Sequence, residues 1–323
     1  MTQVPWYNSR TMLMDMDRLG IGMAGVTQVF NMRNEMIQAQ VRKFPGRFIG
    51  FCNMVATQRE AWLGRRPFDI GRACRELDYW LSKPEFVGVG EMVSIFPDPD
   101  IHKSVDEQIR LMFDIMEVRA HHDNAPILIR TGCFAYLTMC RLRACDPVLI
   151  DDLAVRYPDV PIIVGHMGTT TSHWSTHLDV AMMLASRHPN VHLETCQATR
   201  AQIETAYIDT HIGPSKMVFG SDYGASISYR RVEGEVRSVT VSNEPPKTLQ
   251  MHQDFALRQI RQIEMPENER AMILGLNMAR LCRIDLNVLL KRIQEERYGS
   301  AIAVQETQDE WPPDEPDARQ VAR

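Results

Sequence analysis

The stretch LAVRYPDVPIIVGHMG, residues 153–168, holds a helix end, a proline-bounded turn, an unbroken apolar run and a histidine where that run stops. The run 161–165 (PIIVG) carries no polar side chain on either face. A strand of that composition is buried on both sides, which is the habit of parallel sheets covered by helices. The same kind of run recurs outward along the chain: 126–131 (PILIRT), 190–195 (NVHLET) and 216–221 (KMVFGS) on one arm, 86–91 (FVGVGE), 48–54 (FIGFCNM) and 24–30 (AGVTQVF) on the other. Helical periodicity fills the gaps near 33–43, 68–82, 104–122, 146–157, 174–188 and 199–211. Within 105–122, Val105, Ile109, Met112, Phe113 and Met116 fall at helical spacing. Alternation of strand and helix with short connections predicts an α/β fold, either a TIM-type barrel or a doubly wound sheet.

Counting bears on that choice. Seven strands are visible, whereas a (β/α)8 barrel closes with eight. A helix-like segment, Ser9 to Leu19, precedes the first visible strand and places Met12, Met16 and Leu19 on one face. A helix there implies a strand before it, yet only eight residues, Pro5 among them, come earlier. The first barrel strand is therefore expected to be absent from this chain. Its place would be open, or filled by the N-terminal residues or another chain.

Composition narrows the class. The 323 residues are 44% hydrophobic and 24% charged, with 36 basic against 41 acidic side chains and a net charge of −5. No basic face is concentrated enough to make nucleic acid the main partner. No apolar stretch approaches the length of a membrane span. The N-terminus lacks a signal-peptide pattern. Seven cysteines stand at 52, 74, 133, 140, 145, 196 and 282 without a CxxC, so reduced thiols and a cytoplasmic setting are expected. Cys133, Cys140 and Cys145 read as packing residues. The barrel domain is assigned to residues 1–285. Residues 286–323 read as a helix end and a disordered tail, because the last twenty residues hold six acids and three prolines. Between the last strand and two expected helices (248–263 and 266–284) lies an aperiodic stretch, Asp222 to Lys247, read as a long loop. Pro266 is expected in the first turn of the second helix, and Gly275 as its break.

In parallel barrels the working groups stand at the C-terminal strand ends. Those ends read Glu91, Arg130, His166, Glu194 and Asp222. Each terminates an apolar run, where an unpaired polar group is costly. Two carboxylates and an imidazole could hold a divalent metal, or His166 could act as a general base. Structural roles compete. His166 could bond a backbone carbonyl, Asp222 could cap a turn, and Glu91 could pair with Arg130 as a buried ion pair. His173, in the loop beyond Gly168, could line a pocket, whereas His121 and His122 read as a solvated helix end.

Several strings together resemble the amidohydrolase superfamily, in its branch of metal-dependent hydrolases and decarboxylases. They are FPGRFIGF (44–51), GVGEM (88–92), PILIRTG (126–132), LAVRYPDVPIIVGHMG (153–168), NVHLET (190–195), FGSDY (219–223) and ILGLNMARL (273–281). The likeness runs in order from about residue 9 to about 284. It implies a (β/α)8 barrel with a metal at its mouth, zinc foremost, manganese or iron otherwise. Carried over residue by residue, Glu91 takes the fourth-strand position, His166 the sixth and Asp222 the eighth. These would be the ligands, with His166 and Asp222 catalytic; from their own positions, Arg130, Glu194 and His173 are the candidates for contacting substrate.

Two departures stand out. No His-x-His occurs anywhere in the chain, and Arg130 occupies the place of the fifth-strand histidine. An arginine offers no lone pair to a metal, so metal binding is expected to be weak or absent. Two functions follow from the resemblance: a hydrolase or decarboxylase acting on a small carboxylate or amide, or a non-catalytic subunit. The second would join a complete amidohydrolase-fold partner in a hetero-oligomer.

Overall fold

The computed structural model describes residues 9–27, 33–62, 64–92, 95–100, 102–131, 142–168, 176–196, 198–221, 227–232, 235–240, 256–288 and 291. Seven strands form one parallel sheet in chain order. They are β1 (Ala24–Val26), β2 (Phe48–Cys52), β3 (Phe86–Met92), β4 (Ile127–Arg130), β5 (Ile162–Gly165), β6 (Val191–Glu194) and β7 (Met217–Val218). The register runs without interruption from Ile127↔Ile162 to Arg130↔Gly165, and onward from Ile162↔Val191. Every residue of β5 and β6 is buried, as the unbroken apolar run of β5 requires, and in β6 the burial includes the polar His192 and Glu194. Among the described residues β1 and β7 form the two edges. This is the sequential parallel architecture of a TIM-type α/β barrel with seven strands, and the doubly wound alternative is excluded by the strand order.

The helices are α1 (Ser9–Leu19), α2 (Asn34–Lys43), α3 (Val55–Trp62), α4 (Ile70–Leu81), α5 (Val105–His121), α6 (Ile150–Arg156), α7 (Thr176–Arg187) and α8 (Arg200–Ile208). The start of α5 is set by a capping box in which Ser104 and Glu107 satisfy each other's backbone N–H groups. Leu77, Met112, Ile115, Leu153, Ala181 and Leu184 bring the helices onto the sheet, against Ile162, Val164, Val191 and Leu193. Strand alternation therefore turns Ile163, His192 and Glu194 to the opposite, barrel-interior face. No helix among the described residues is long and apolar enough to cross a membrane.

Three expectations need correction. Helix α3 is unforeseen. VATQREAW has no apolar stripe, and the helix is held instead by Glu76 of α4, whose carboxylate accepts from Ala56 N, Thr57 N and Thr57 Oγ1 at 3.1, 3.0 and 2.7 Å. The stretch read as an aperiodic loop contains an antiparallel hairpin, β8 (Ile227–Val232) and β9 (Glu235–Thr240). A tight two-residue connection suffices for such pairing, and the mixed charges of the flanking segments hide their alternation. Gly275 does not break its helix. The helix begins at Glu267, after Pro266, and continues through a π-helical turn, Met272–Leu276, into Asn277–Leu281.

That π turn ties the C-terminal helix to the sheet. It sends the Asn277 N–H to Met272 O, and the carbonyl of Ile273 accepts Phe219 N at 2.9 Å, just past β7. The buried Asn277 side chain donates from Nδ2 to Pro214 O and Met217 O, both at 2.8 Å. Helix and strand are thereby clamped at both ends of β7.

His192, on the interior face of β6, is 5% exposed, and its Nδ1 has no hydrogen-bond partner among the described residues. Burial, reinforced by the positive charges of Arg280 and Lys216, pushes its pKa down to about 4 from the ordinary 6.5. The folded state thus favours the neutral ring. Its contribution to stability is intact above pH 6.5 and is lost as the pH falls toward 4. Urea unfolding should show wild type losing about 2 kcal/mol more than His192→Gln between pH 7 and pH 4.5. Parallel pH profiles would refute this assignment.

Candidate active site

Four consecutive strands deliver a polar group to the same end of the sheet. Glu91 lies near the end of β3, Arg130 ends β4, His166 follows β5 and Glu194 ends β6. All four are buried. Arg130 Nη1 stands 3.8 Å from Glu91 Oε1, an ion-pair contact longer than a direct hydrogen bond. His166 Nε2 lies 3.4 Å from the same oxygen. The Glu194 carboxylate accepts the His166 backbone N–H at 2.7 Å with one oxygen and the Cys196 N–H at 3.1 Å with the other.

Local backbone makes this geometry possible. His166 and Met167 both have positive φ, 56° and 50°, a left-handed conformation that costs an L-residue about 1 kcal/mol or more. The turn points the His166 N–H at Glu194 while its ring reaches Glu91.

The electrostatics are mutual. Burial alone would raise the Glu91 carboxyl, but the His166 hydrogen bond and the Arg130 charge outweigh it and hold the group below the usual carboxylate range. Burial alone would lower His166. The Glu91 hydrogen bond, with the charges of Glu194 and Glu91, overcomes that and the opposing Arg130, and moves it up. Arg130 and His166 thus stand between two carboxylates at the mouth, an arrangement suited to holding a small carboxylate and to moving a proton through His166. In addition, His166, Glu194 and Cys196 each present a donor atom, all within 4.8 Å of one another and all on buried residues, a cluster able to receive a metal ion.

Of the residues singled out from the sequence, Glu91, Arg130, His166 and Glu194 meet here. Asp222 and His173 lie outside the described residues, as do Cys133 and Cys140. The sequence reading passed over Asn53, Cys196 and Gly220. Asn53 follows β2, so it too marks a strand end, and its Nδ2 donates to Glu91 O at 2.9 Å. Its backbone is in turn held by Asn34 through bonds of 2.7 and 3.1 Å. Gly220 packs against Glu194 so closely that a Cβ there would fall 1.3 Å from Glu194 Oε1.

Comparison with known proteins agrees with this architecture. The chain superimposes on an uncharacterised TIM-barrel protein from Bordetella bronchiseptica, with 13% identity over 85% of this chain and 83% of that one and a TM-score of 0.58. A 2,6-dihydroxybenzoate decarboxylase from Rhizobium gives 15%, 86%, 89% and 0.55. A dihydroxybenzoic acid decarboxylase from Polaromonas sp. JS666, solved with bound manganese, gives 15%, 86%, 86% and 0.54. At these identities the likeness establishes the fold alone. No curated protein matches the chain in sequence. The amidohydrolase family profile matches residues 12–284, nearly the whole of the barrel described above. The chain belongs to the amidohydrolase family.

Proposed function

We propose that this chain is an amidohydrolase-fold subunit that binds a small carboxylate at its mouth and does not by itself run metal-dependent hydrolysis or decarboxylation. One observation carries this reading: the buried guanidinium of Arg130 stands 3.8 Å from Glu91, where the family places a neutral histidine. A fixed positive charge repels a divalent cation in a poorly solvated cavity. The remaining donors are also occupied with one another. Glu91 is shared by Arg130 and His166, and both oxygens of Glu194 hold backbone N–H groups. As they stand, these described residues do not fit the divalent metal of the family; Asp222 lies outside them.

What the mouth does offer is recognition. A guanidinium suits the carboxylate of a small acid, the class to which the benzoate substrates named for the solved decarboxylases belong. Turnover would then rest with a complete amidohydrolase-fold partner. The second reading, a metal-dependent hydrolase or decarboxylase of small carboxylates or amides, is favoured by the cluster of His166, Glu194 and Cys196.

Metal content decides between them. After dialysis against zinc, manganese or iron and gel filtration, the purified chain should retain substoichiometric metal by elemental analysis. It should decarboxylate 2,6-dihydroxybenzoate no faster than buffer does. Arg130→His should retain more metal than wild type. Stoichiometric metal in the wild-type chain would reject the non-catalytic reading in favour of the second.

A further inference from the structure

The end of the barrel opposite the mouth holds a cavity that the reading above leaves without a role. It has a volume of about 350 Å³ and is lined by His192, Lys216, Arg280 and Arg283, with Asp159 as its carboxylate. Its position follows from strand geometry. His192 and Glu194 share one face of β6, so Glu194 serves the mouth and His192 sits one layer below, toward the N-terminal strand ends. Lys216 immediately precedes β7, and Arg280 and Arg283 come from the clamped C-terminal helix and its exit.

We propose that this floor cavity binds a small phosphate dianion, either inorganic phosphate or a phosphate monoester, between Lys216, Arg280 and Arg283, with His192 as the buried donor. The proposal stands apart from the reading of the mouth. Its first support is His192, a lining residue more than nine-tenths buried, whose Nδ1 has no partner among the described residues. Buried polar atoms are rarely left so, and a turn of the ring toward the cavity would bring Nδ1 to a ligand oxygen. A neutral imidazole can donate from Nδ1 without adding charge.

The second support is charge. Three cations and one carboxylate form the lining, and with Asp123 beside Arg283 the wall still carries an excess of positive charge that suits an anion. Phosphate carries between one and a half and two negative charges near neutrality. The cations are only partly engaged. Lys216 Nζ donates to the carbonyls of Ala185 and His188, two of its three protons. Arg280 gives one Nη2 bond to Ser215 O at 3.1 Å. Arg283 Nη1 lies 3.7 Å from Asp123.

Arg283 adds a third point. It has φ 55° in the turn closed by Ile284 N to Ala279 O at 2.8 Å, a helix exit at which glycine is the favoured residue. An arginine there accepts conformational strain, and its side chain stands at the cavity wall. The volume exceeds that of phosphate alone and leaves room for a few-carbon substituent.

Calorimetric titration of the full chain with inorganic phosphate, glycerol phosphate and malonate, in chloride buffer of matched ionic strength, tests the site. Both phosphates should bind saturably with a dissociation constant of about 1 mM or tighter, and malonate more weakly. Arg280→Gln and Arg283→Gln, both at exposed side chains, should each weaken phosphate binding about tenfold or more. Arg65→Gln, an equal loss of charge at a remote exposed position, should leave it unchanged. Unfolding curves will confirm that each variant is folded, and either floor arginine alone suffices for the test. Absence of saturable phosphate binding, binding untouched by loss of either floor arginine, or malonate binding as tightly as phosphate would overturn the proposal.

Discussion

Gly220→Ala is expected to lose about 3–5 kcal/mol of stability, enough to remove most soluble protein, although the change adds only a methyl group. The new Cβ would lie 1.3 Å from Glu194 Oε1 and 2.3 Å from its carboxyl carbon. Both groups cannot occupy that space. If Glu194 swings away, the N–H groups of His166 and Cys196 lose their shared acceptor in a buried setting, at about 1–3 kcal/mol each. If instead the backbone shifts, the Phe219–Ile273 bond next to it is strained. Urea denaturation of Gly220→Ala, Glu194→Ala and the double variant forms a cycle. The double variant should be clearly more stable than the two single losses added together, because removing Glu194 makes room for the methyl. A Gly220→Ala variant within about 1 kcal/mol of wild type would show that this close packing is not maintained in solution.

Arg130→Met should cost a comparable amount, about 3–5 kcal/mol, through a different route. Methionine fills much of the same volume, so the loss measures charge rather than a cavity. It leaves the Glu91 carboxylate buried with His166 as its main cationic neighbour, and an unpaired buried charge is among the most destabilising defects. Removing the Arg130 charge also lets the Glu91 carboxyl rise from its depressed position. The sign follows from linkage. Glu91 supports the fold above its unfolded-state pKa, and that support is lost as pH falls through the folded value. In Arg130→Met the Glu91-linked loss on acidification should therefore be smaller than in wild type, because its folded value moves toward the unfolded one. In a Glu91→Gln background the same Arg130→Met change should cost much less. Equal costs in the two backgrounds would mean that the pair contributes no coupling.

Much of this arrangement is legible in the chain itself, and the exceptions have physical causes. The seven strands announce themselves because parallel strands buried on both faces must be largely apolar, as 161–165 is throughout. Their polar terminators, Glu91, Arg130, His166 and Glu194, stand out against that background and do converge. Helix α3 is silent because Glu76 anchors it through hydrogen bonds rather than an apolar stripe. The hairpin is silent because charged residues interrupt its alternation. Asn53 was available to the same rule that found Glu91, since it too follows an apolar strand, but an uncharged amide draws less notice. The bond between Glu194 and the His166 N–H, and the contact with Gly220, join residues of different strands. No periodicity records them, because they exist only once the register is set.

The π turn at Met272–Leu276 has a consequence for how the two ends of the barrel communicate. One short helix carries Arg280 toward the floor, while its Ile273 carbonyl holds Phe219, the residue before Gly220 and hence beside Glu194 and His166. The same helix thus borders the floor through Arg280 and touches, through Ile273, the segment packed beside Glu194. A floor ligand that moved this helix would act on the mouth. Thermodynamic reciprocity then sets the terms: whatever factor a floor ligand imposes on affinity at the mouth, a mouth ligand must impose in equal measure at the floor.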